Sequence, residues 1–329
     1  MQFFTEPESS TNLLPLVDVP GNKVAAILTK LPPLQQGHQR QRRGLILCLN
    51  GSFNPVHNEH LSMLDSARAH LEQQGLLVVG GFLSPSSEGY VNMKKGEDAL
   101  PLALRAHLCA LATSESEWIS ATKLGICSGR EAADTILSHL TTPMAGNKAS
   151  TSILPLMKEK GIGRLATVQV MGLDTLVRCG WARRAESGKP RGKRKRSRRR
   201  EEEEEEAEEE ELPAVTVVAV ERPGTDIRPS VRRTLEETGV MFAPRSESMS
   251  AGGVSSTNVL KWMKSRTGTG GEALHPRVRE ALVGGGGEDE KTVTSEGTKK
   301  LQKVEAVEET MKKVDASLPE KVIDAHRSP

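Results

Sequence analysis

The sequence predicts an α/β fold, a parallel sheet flanked by helices, and three observations point there. Gly44-Leu45-Ile46-Leu47-Cys48-Leu49 is a short continuous apolar run, the mark of a strand buried on both faces. Leu76-Leu77-Val78-Val79-Gly80-Gly81-Phe82-Leu83 is a second such run. Between them Leu61, Leu64, Ala67, Arg68 and Leu71 keep a helical period. Strand, turn, helix and strand in that order make the βαβ unit from which parallel sheets are built.

The alternation continues along the chain. Pro101 to Thr113 reads as a helix, with Pro101 suited to a first turn. Trp118-Ile119-Ser120-Ala121 reads as a short strand, Glu131 to Leu140 as a helix, Ala166 to Met171 as the fourth strand and Ala214 to Val220 as the fifth. Val254-Ser255-Ser256-Thr257 opens a helix with a hydroxyl cap, and a last helix covers Pro276 to Leu282. The resulting division is an N-terminal extension over 1–42, partly ordered around Val24 to Leu28, an α/β domain over 43–284 and a tail over 285–329, in which a further helix is expected near Lys299 to Lys313. Within the domain, 182–212 is a charged insert: a block of Lys and Arg from Lys189, then a run of Glu ending at Glu211. Like-charge runs of this length cannot bury themselves.

Composition bounds the class. Apolar residues make up 36% of the 329 residues and aromatics 3%, low for a chain that is all core. The net charge of +2 hides the two opposing blocks of the insert. Cys48, Cys109, Cys127 and Cys179 are scattered with no C-x-x-C pair, which argues against a zinc ribbon and a disulfide framework. No stretch approaches the roughly 18 apolar residues of a spanning helix. The first thirty residues lack the pattern of a signal peptide. A reducing compartment is expected, nucleus or cytoplasm, with the basic clusters at Arg183-Arg184 and Lys189 to Arg200 reading as an import signal. The neighbouring Glu run makes nucleic acid an unlikely partner, and a homo-oligomer stays open.

The chemistry starts at the turn after the first strand. Gly51 and Ser52 sit where the carboxyl edge of the sheet meets the first helix, the edge at which open parallel sheets bind ligands. A helix N-terminus there offers free N–H groups and a positive dipole end to a phosphate. His57 and His60, three apart, fall on one face and can donate to phosphate oxygens. Two plainer readings stand beside this one: the pair is polar surface, or half of a zinc site for which no third ligand lies nearby. The turn has no G-x-x-x-x-G-K-[ST].

Beyond this chemistry, Gly51-Ser52-Phe53-Asn54-Pro55-x-His57-x-x-His60 closely resembles the G-x-F-[ND]-P-x-[HT]-x-x-H signature of nucleotidyltransferases. Further stretches resemble nicotinamide/nicotinic acid mononucleotide adenylyltransferases of the eukaryotic branch. Ser84-Pro85, then Tyr90 and Lys94-Lys95-Gly96, looks like that family's S-P-x-x-x-x-Y-x-K-K-G segment with a two-residue insertion. Pro101 to Arg105, Leu111-Ala112 and Trp118-Ile119 resemble its following helix and strand. Gly172-Leu173-Asp174-Thr175-Leu176, with Trp181 beyond, resembles its G-x-D-x-L element and the L-W that follows. Arg222-Pro223-Gly224-Thr225-Asp226 is similar to its R-x-G-x-D turn, Val254 to Thr257 to its I-S-S-T, and Leu274-His275-Pro276-x-Val278 to its closing segment. The chain departs from the pattern where Leu124 and Gly125 replace a Trp-Glu pair that helps bind the nicotinamide. It departs again where Leu260, with Lys261 beside it, replaces an Arg that contacts the triphosphate.

The resemblance implies a Rossmann-like nucleotidyltransferase fold and the condensation of nicotinamide or nicotinic acid mononucleotide with ATP, assisted by Mg²⁺, to give NAD or deamido-NAD and pyrophosphate. It implies His57 and His60 on the ATP phosphates and the backbone of Gly51, Ser52 and Phe53 around them. Lys94 or Lys95 would take the mononucleotide phosphate, Asp174 a ribose, and Trp181 the pyridine ring. Ser256 and Thr257 would cap a helix facing the triphosphate, and Tyr90, Gly172 and Arg222 join the nucleotide site. No protein metal ligand is expected. Plainer roles stay open: a core position for Trp181, a helix cap for Asp174, a solvated loop for the lysines. So do two other functions, transfer to another phosphorylated substrate and a catalytically weakened nucleotide-binding or interaction protein.

Overall fold

The computed structural model describes residues 19–33, 42–142, 153–181, 215–221, 224–245, 256–265 and 269–284. The charged insert, the tail with its expected helix, Arg222 and the start of the Val254 to Thr257 motif lie outside them. The elements run α1 (Asn22–Lys30), β1 (Arg42–Gly51), α2 (Asn58–Gln73), β2 (Leu77–Pro85), α3 (Glu88–Lys95), α4 (Leu102–Thr113), β3 (Ile119–Ala121) and α5 (Gly129–Thr141). They continue as α6 (Leu154–Glu159), β4 (Ile162–Gly172), α7 (Leu173–Arg178), β5 (Val217–Val220), α8 (Pro229–Glu237), β6 (Val240–Ala243), α9 (Ser256–Ser265) and α10 (Pro276–Gly284).

The six strands form one parallel sheet in the order β3-β2-β1-β4-β5-β6. Chain direction across the sheet therefore reverses between β1 and β4, the switch point at which such sheets open a crevice beyond their carboxyl ends. This is the α/β architecture that the apolar runs predict. In β1, Leu45, Leu47 and Leu49 join a cluster with Leu64, Leu108 and Trp262, while Ile46 and Cys48 turn to the other face with Leu28, Ile136 and Met157. Period-two alternation between two buried faces is why the run is apolar at every position. A smaller cluster joins Leu173 and Leu176 of α7 to Val217, Val231, Leu235 and Phe242.

Several elements carry no signal strong enough to assign from sequence. α3, α6 and α7 are each eight residues or fewer, too short to show a period. α8 buries only Val231 and Leu235, and β6 has four residues. β4 begins at Ile162, four residues before its apolar run, because Arg42 to Gly44 continue the ladder with Ile162 to Leu165.

Helix α1 falls within the stretch read as an extension, and it belongs to the core. Val24 and Leu28 are 1% and 0% exposed. Gly80 of β2 permits the approach, since a Cβ there would stand 2.7 Å from Val24 Cγ2. Lys23 Nζ donates to the carbonyls of Thr113 and Ile119 at 2.6 and 2.7 Å, tying α1 to the end of α4 and to β3. Burial lowers the Lys23 pKa. We predict that Leu28→Ala costs about 2–5 kcal/mol, the range for truncating a fully packed leucine. Urea denaturation of both proteins measures it, and a cost below about 0.5 kcal/mol would show that α1 does not contribute to the core.

Candidate active site

The carboxyl end of β1 delivers Gly51 to a turn held from both sides. The Asn54 carboxamide donates to the Asp98 carbonyl and accepts from the Leu100 N–H, both at 2.7 Å. Arg105 of α4 donates from Nη1 to the Ser52 carbonyl and from Nε to the Leu100 carbonyl, both at 2.9 Å. Phe53 between these anchors has φ 41°, a left-handed backbone that non-glycine residues rarely adopt. Its ring turns inward, 2% exposed, and meets the His60 ring edge-on at 4.9 Å. Gly51 makes room beside it, since a Cβ there would lie 3.2 Å from that ring, tighter than ordinary contact.

His57 is the N-cap of α2 and His60 its third residue. The backbone N–H of His57 donates to His60 Nδ1 at 3.1 Å, so His60 takes the place of the Glu or Gln of a capping box. A neutral His60 that accepts at Nδ1 carries its proton on Nε2, a donor suited to a phosphate oxygen. The two rings stack at 3.8 Å between centroids. The first turn of α2 is braced further by Asn58 N–H on the Ala273 carbonyl at 2.8 Å and by a buried ion pair, Glu59 with Arg245, at 3.0 Å. Thus the turn after β1, the end of β6 and the approach to α10 meet at one helix start.

The other expected residues fall into groups. Tyr90, Lys94 and Lys95 lie on α3, with Ser87 as the cap of that helix. Tyr90 is exposed, and Lys94 Nζ stands 5.8 Å from its ring centroid. The Lys94 pKa is lowered, first by burial, then by the positive charges of Arg178 and Lys95; Cys179 and Asp174 oppose the shift. That coupling brings α3 beside α7, where Asp174 pairs with Arg178 at 3.1 Å. Gly172, the last residue of β4, is the N-cap of α7 and makes no side-chain cap, so Asp174 serves there as an ion-pair partner. Trp181 is partly buried against the Leu173–Phe242 cluster. Ser256 starts α9 and Thr257 is exposed in its first turn.

At the two departures, apolar side chains turn inward. Leu124 packs on the cluster of Leu28, Ile136 and Met157. Leu260 is 9% exposed, while Lys261 faces solvent. Sequence reading missed Arg105, Glu59 and Arg245 as site residues. Arg105 left one sign: an arginine on the α4 stripe shared with Leu108, Cys109 and Ala112, a core position. A cavity of about 350 Å³ lined by Arg42, Arg43, Gly75, Leu76, Leu77 and Val215 lies at the amino ends of the strands, and none of the expected site residues lines it. Among the described residues no group of three or more His, Cys, Asp or Glu is arranged to hold a metal ion, and no helix is long and apolar enough to cross a membrane.

Glu59 and Arg245 are 5% and 15% exposed at their side chains. Removing one member of such a pair leaves a buried charge uncompensated. We predict that Glu59→Ala costs about 3–5 kcal/mol. Equilibrium unfolding checks it, and a loss under about 1 kcal/mol would mean that the pair is solvated.

Comparison with known proteins agrees with this geometry. The chain is 39% identical over 84 residues to a nicotinamide/nicotinic acid mononucleotide adenylyltransferase of Oryza sativa subsp. japonica, covering 25% of this chain and 32% of that protein. It is 29% identical over 123 residues to nicotinamide/nicotinic acid mononucleotide adenylyltransferase 2 of Xenopus tropicalis, covering 34% and 38%. The protein of the same name from Caenorhabditis elegans is 39% identical over 71 residues, 22% and 30%. The chain thus spans about a third of the length of these relatives. Residues 48–261, more than half of the chain and including the whole turn from Gly51 to His60, match the cytidylyltransferase-like family, and to that family the chain belongs.

Proposed function

We propose that this protein is an adenylyltransferase that joins nicotinamide or nicotinic acid mononucleotide to ATP. The observation that carries the reading is the His57–His60 pair, stacked on the first turn of α2 beyond the carboxyl end of β1, with His60 held as an Nε2 donor. Relatives bearing that activity in their names align with this chain, and supply the choice of co-substrate.

The reaction needs no side-chain nucleophile. A 5′-phosphate oxygen of the mononucleotide attacks the α-phosphorus of ATP, a new P–O bond forms, and the bond to the bridging oxygen breaks. Pyrophosphate leaves with that electron pair. Two polyanions repel, so the residues contribute by holding them together and by meeting charge as it develops. His60 Nε2–H and the backbone of the Gly51–Phe53 turn would meet the ATP phosphates. Lys94, beside Arg178 and Lys95, forms a cationic edge suited to the mononucleotide phosphate. A divalent cation would lower the repulsion. Mg²⁺ accompanying the ATP would supply that neutralisation.

The second reading is transfer to a different phosphorylated substrate. Leu124, turned into the core where the resembled family places its Trp-Glu pair, favours it. Turnover with each mononucleotide and with other sugar phosphates, followed by pyrophosphate release, separates the two. For either substrate, His60→Ala should lower kcat by about 10²-fold, the scale of one preorganised donor. Wild-type turnover by a folded His60→Ala variant would remove His60 from the mechanism.

A further inference from the structure

Arg105 is 0% exposed, the largest fully buried side chain of the described residues. A guanidinium carries five N–H donors and keeps its charge in proteins. Nε and Nη1 are spent on the Leu100 and Ser52 carbonyls. Nη2 is buried with no hydrogen-bond partner among the described residues. No acidic side chain forms an ion pair with Arg105 there either, although buried charges are ordinarily paired. The chain therefore keeps a positive charge in its interior, directly behind the Ser52 carbonyl, that no ion pair meets; Glu88 attracts it only from beyond contact distance. The Ser52 hydroxyl, on the same turn, is also buried without a hydrogen-bond partner among the described residues.

A buried cation with no ion pair is costly unless something negative comes to it. The turn that it touches is the one offering Gly51, Ser52 and Phe53 amides and the start of α2. We propose that Arg105 is a positioning residue for this site, which fixes the Ser52–Asn54 turn and supplies from behind it the buried positive charge that a bound polyphosphate balances. The idea rests on the phosphate site of the proposed function, and it extends that site to a residue that never reaches solvent. Two consequences separate it from ordinary packing. Polyphosphate binding should stabilise the protein more when Arg105 is present than when it is absent. The effect should fall on the triphosphate substrate and spare the other one.

The test uses the full chain, with inorganic tripolyphosphate as the probe. Thermal unfolding and titration calorimetry are run on wild type, Arg105→Lys and Arg105→Met, and on Leu28→Ala, which loosens the core on the other face of the sheet and leaves the turn and Arg105 in place. Wild type should bind tripolyphosphate and gain melting temperature. Arg105→Met should lose at least 30-fold in affinity and most of that gain. Arg105→Lys, which keeps the charge and forfeits the fork that holds two carbonyls, should recover part of the affinity. In turnover, Arg105→Lys should raise KM for ATP at least 10-fold and change KM for the phosphorylated co-substrate less than 3-fold. Should Arg105→Met fail to fold, the Arg105→Lys and Leu28→Ala affinities decide, with the second expected close to wild type despite its lower melting temperature. Equal tripolyphosphate affinity in wild type and Arg105→Lys, with only the ligand-free melting temperature lowered, overturns the role of Arg105 and leaves the functional reading standing. No binding by wild type overturns both.

Discussion

The site depends on a strained turn. Phe53 stands at φ 41°, and a non-glycine residue in that region costs on the order of 1–3 kcal/mol. Four hydrogen bonds from two buried side chains, Asn54 and Arg105, hold the chain there. At about 0.5–1.5 kcal/mol each, such bonds offset the strain. What the protein gains is direction. With Phe53 turned inward, its ring supports His60, the ring of His60 accepts from the His57 N–H, and both histidines are fixed at the end of β1, as the proposed reaction requires. Preorganisation of this kind means that donors need not reorient as charge develops.

The surrounding elements serve that turn from a distance. The order in which strands are added switches between β1 and β4, so their carboxyl ends lie at the switch point, where the starts of α2 and α7 also stand. The Glu59–Arg245 pair ties the first turn of α2 to the end of β6, and the Asn58 amide on Ala273 ties it to the segment before α10. Asn50, the last residue but one of β1, donates to the Ser84 and Ile126 carbonyls and closes the opposite side. Each tie joins a residue near position 55 to one far along the chain. The helix start is thereby fixed in three directions.

The two departures from the resembled family have a common physical form. At Leu124 and Leu260 an apolar residue stands where the resembled family has a Trp and an Arg, and both pack toward the core. Burial of a leucine side chain is favourable by roughly 1.5–3 kcal/mol. The loop after β3 and the start of α9 are therefore stabilised in place with fewer groups offered to a ligand. Positive charge is met elsewhere, on the exposed Lys94 edge and in the buried guanidinium of Arg105.

The sequence by itself determined the fold class and singled out the turn at which the candidate site is placed. A short apolar run such as Gly44 to Leu49, ended by a turn signal, fits a strand covered on both faces, and a Gly-Ser turn between such a strand and a helix lies at the ligand-binding edge of a parallel sheet. Both signals are local, so a single chain displays them. Short elements escaped because four to eight residues do not establish a period, as in β6 and α3. Tertiary structure alone decided which residues support the turn. Arg105 is 53 residues from Ser52 and Arg245 is 186 from Glu59, and no spacing rule links such pairs. Folding brought them together because a buried charge or carbonyl has to find a partner wherever the packed chain places one. For the same reason α1 left the expected extension: two buried residues and one lysine reaching two carbonyls count only once β2, β3 and α4 are there to receive them.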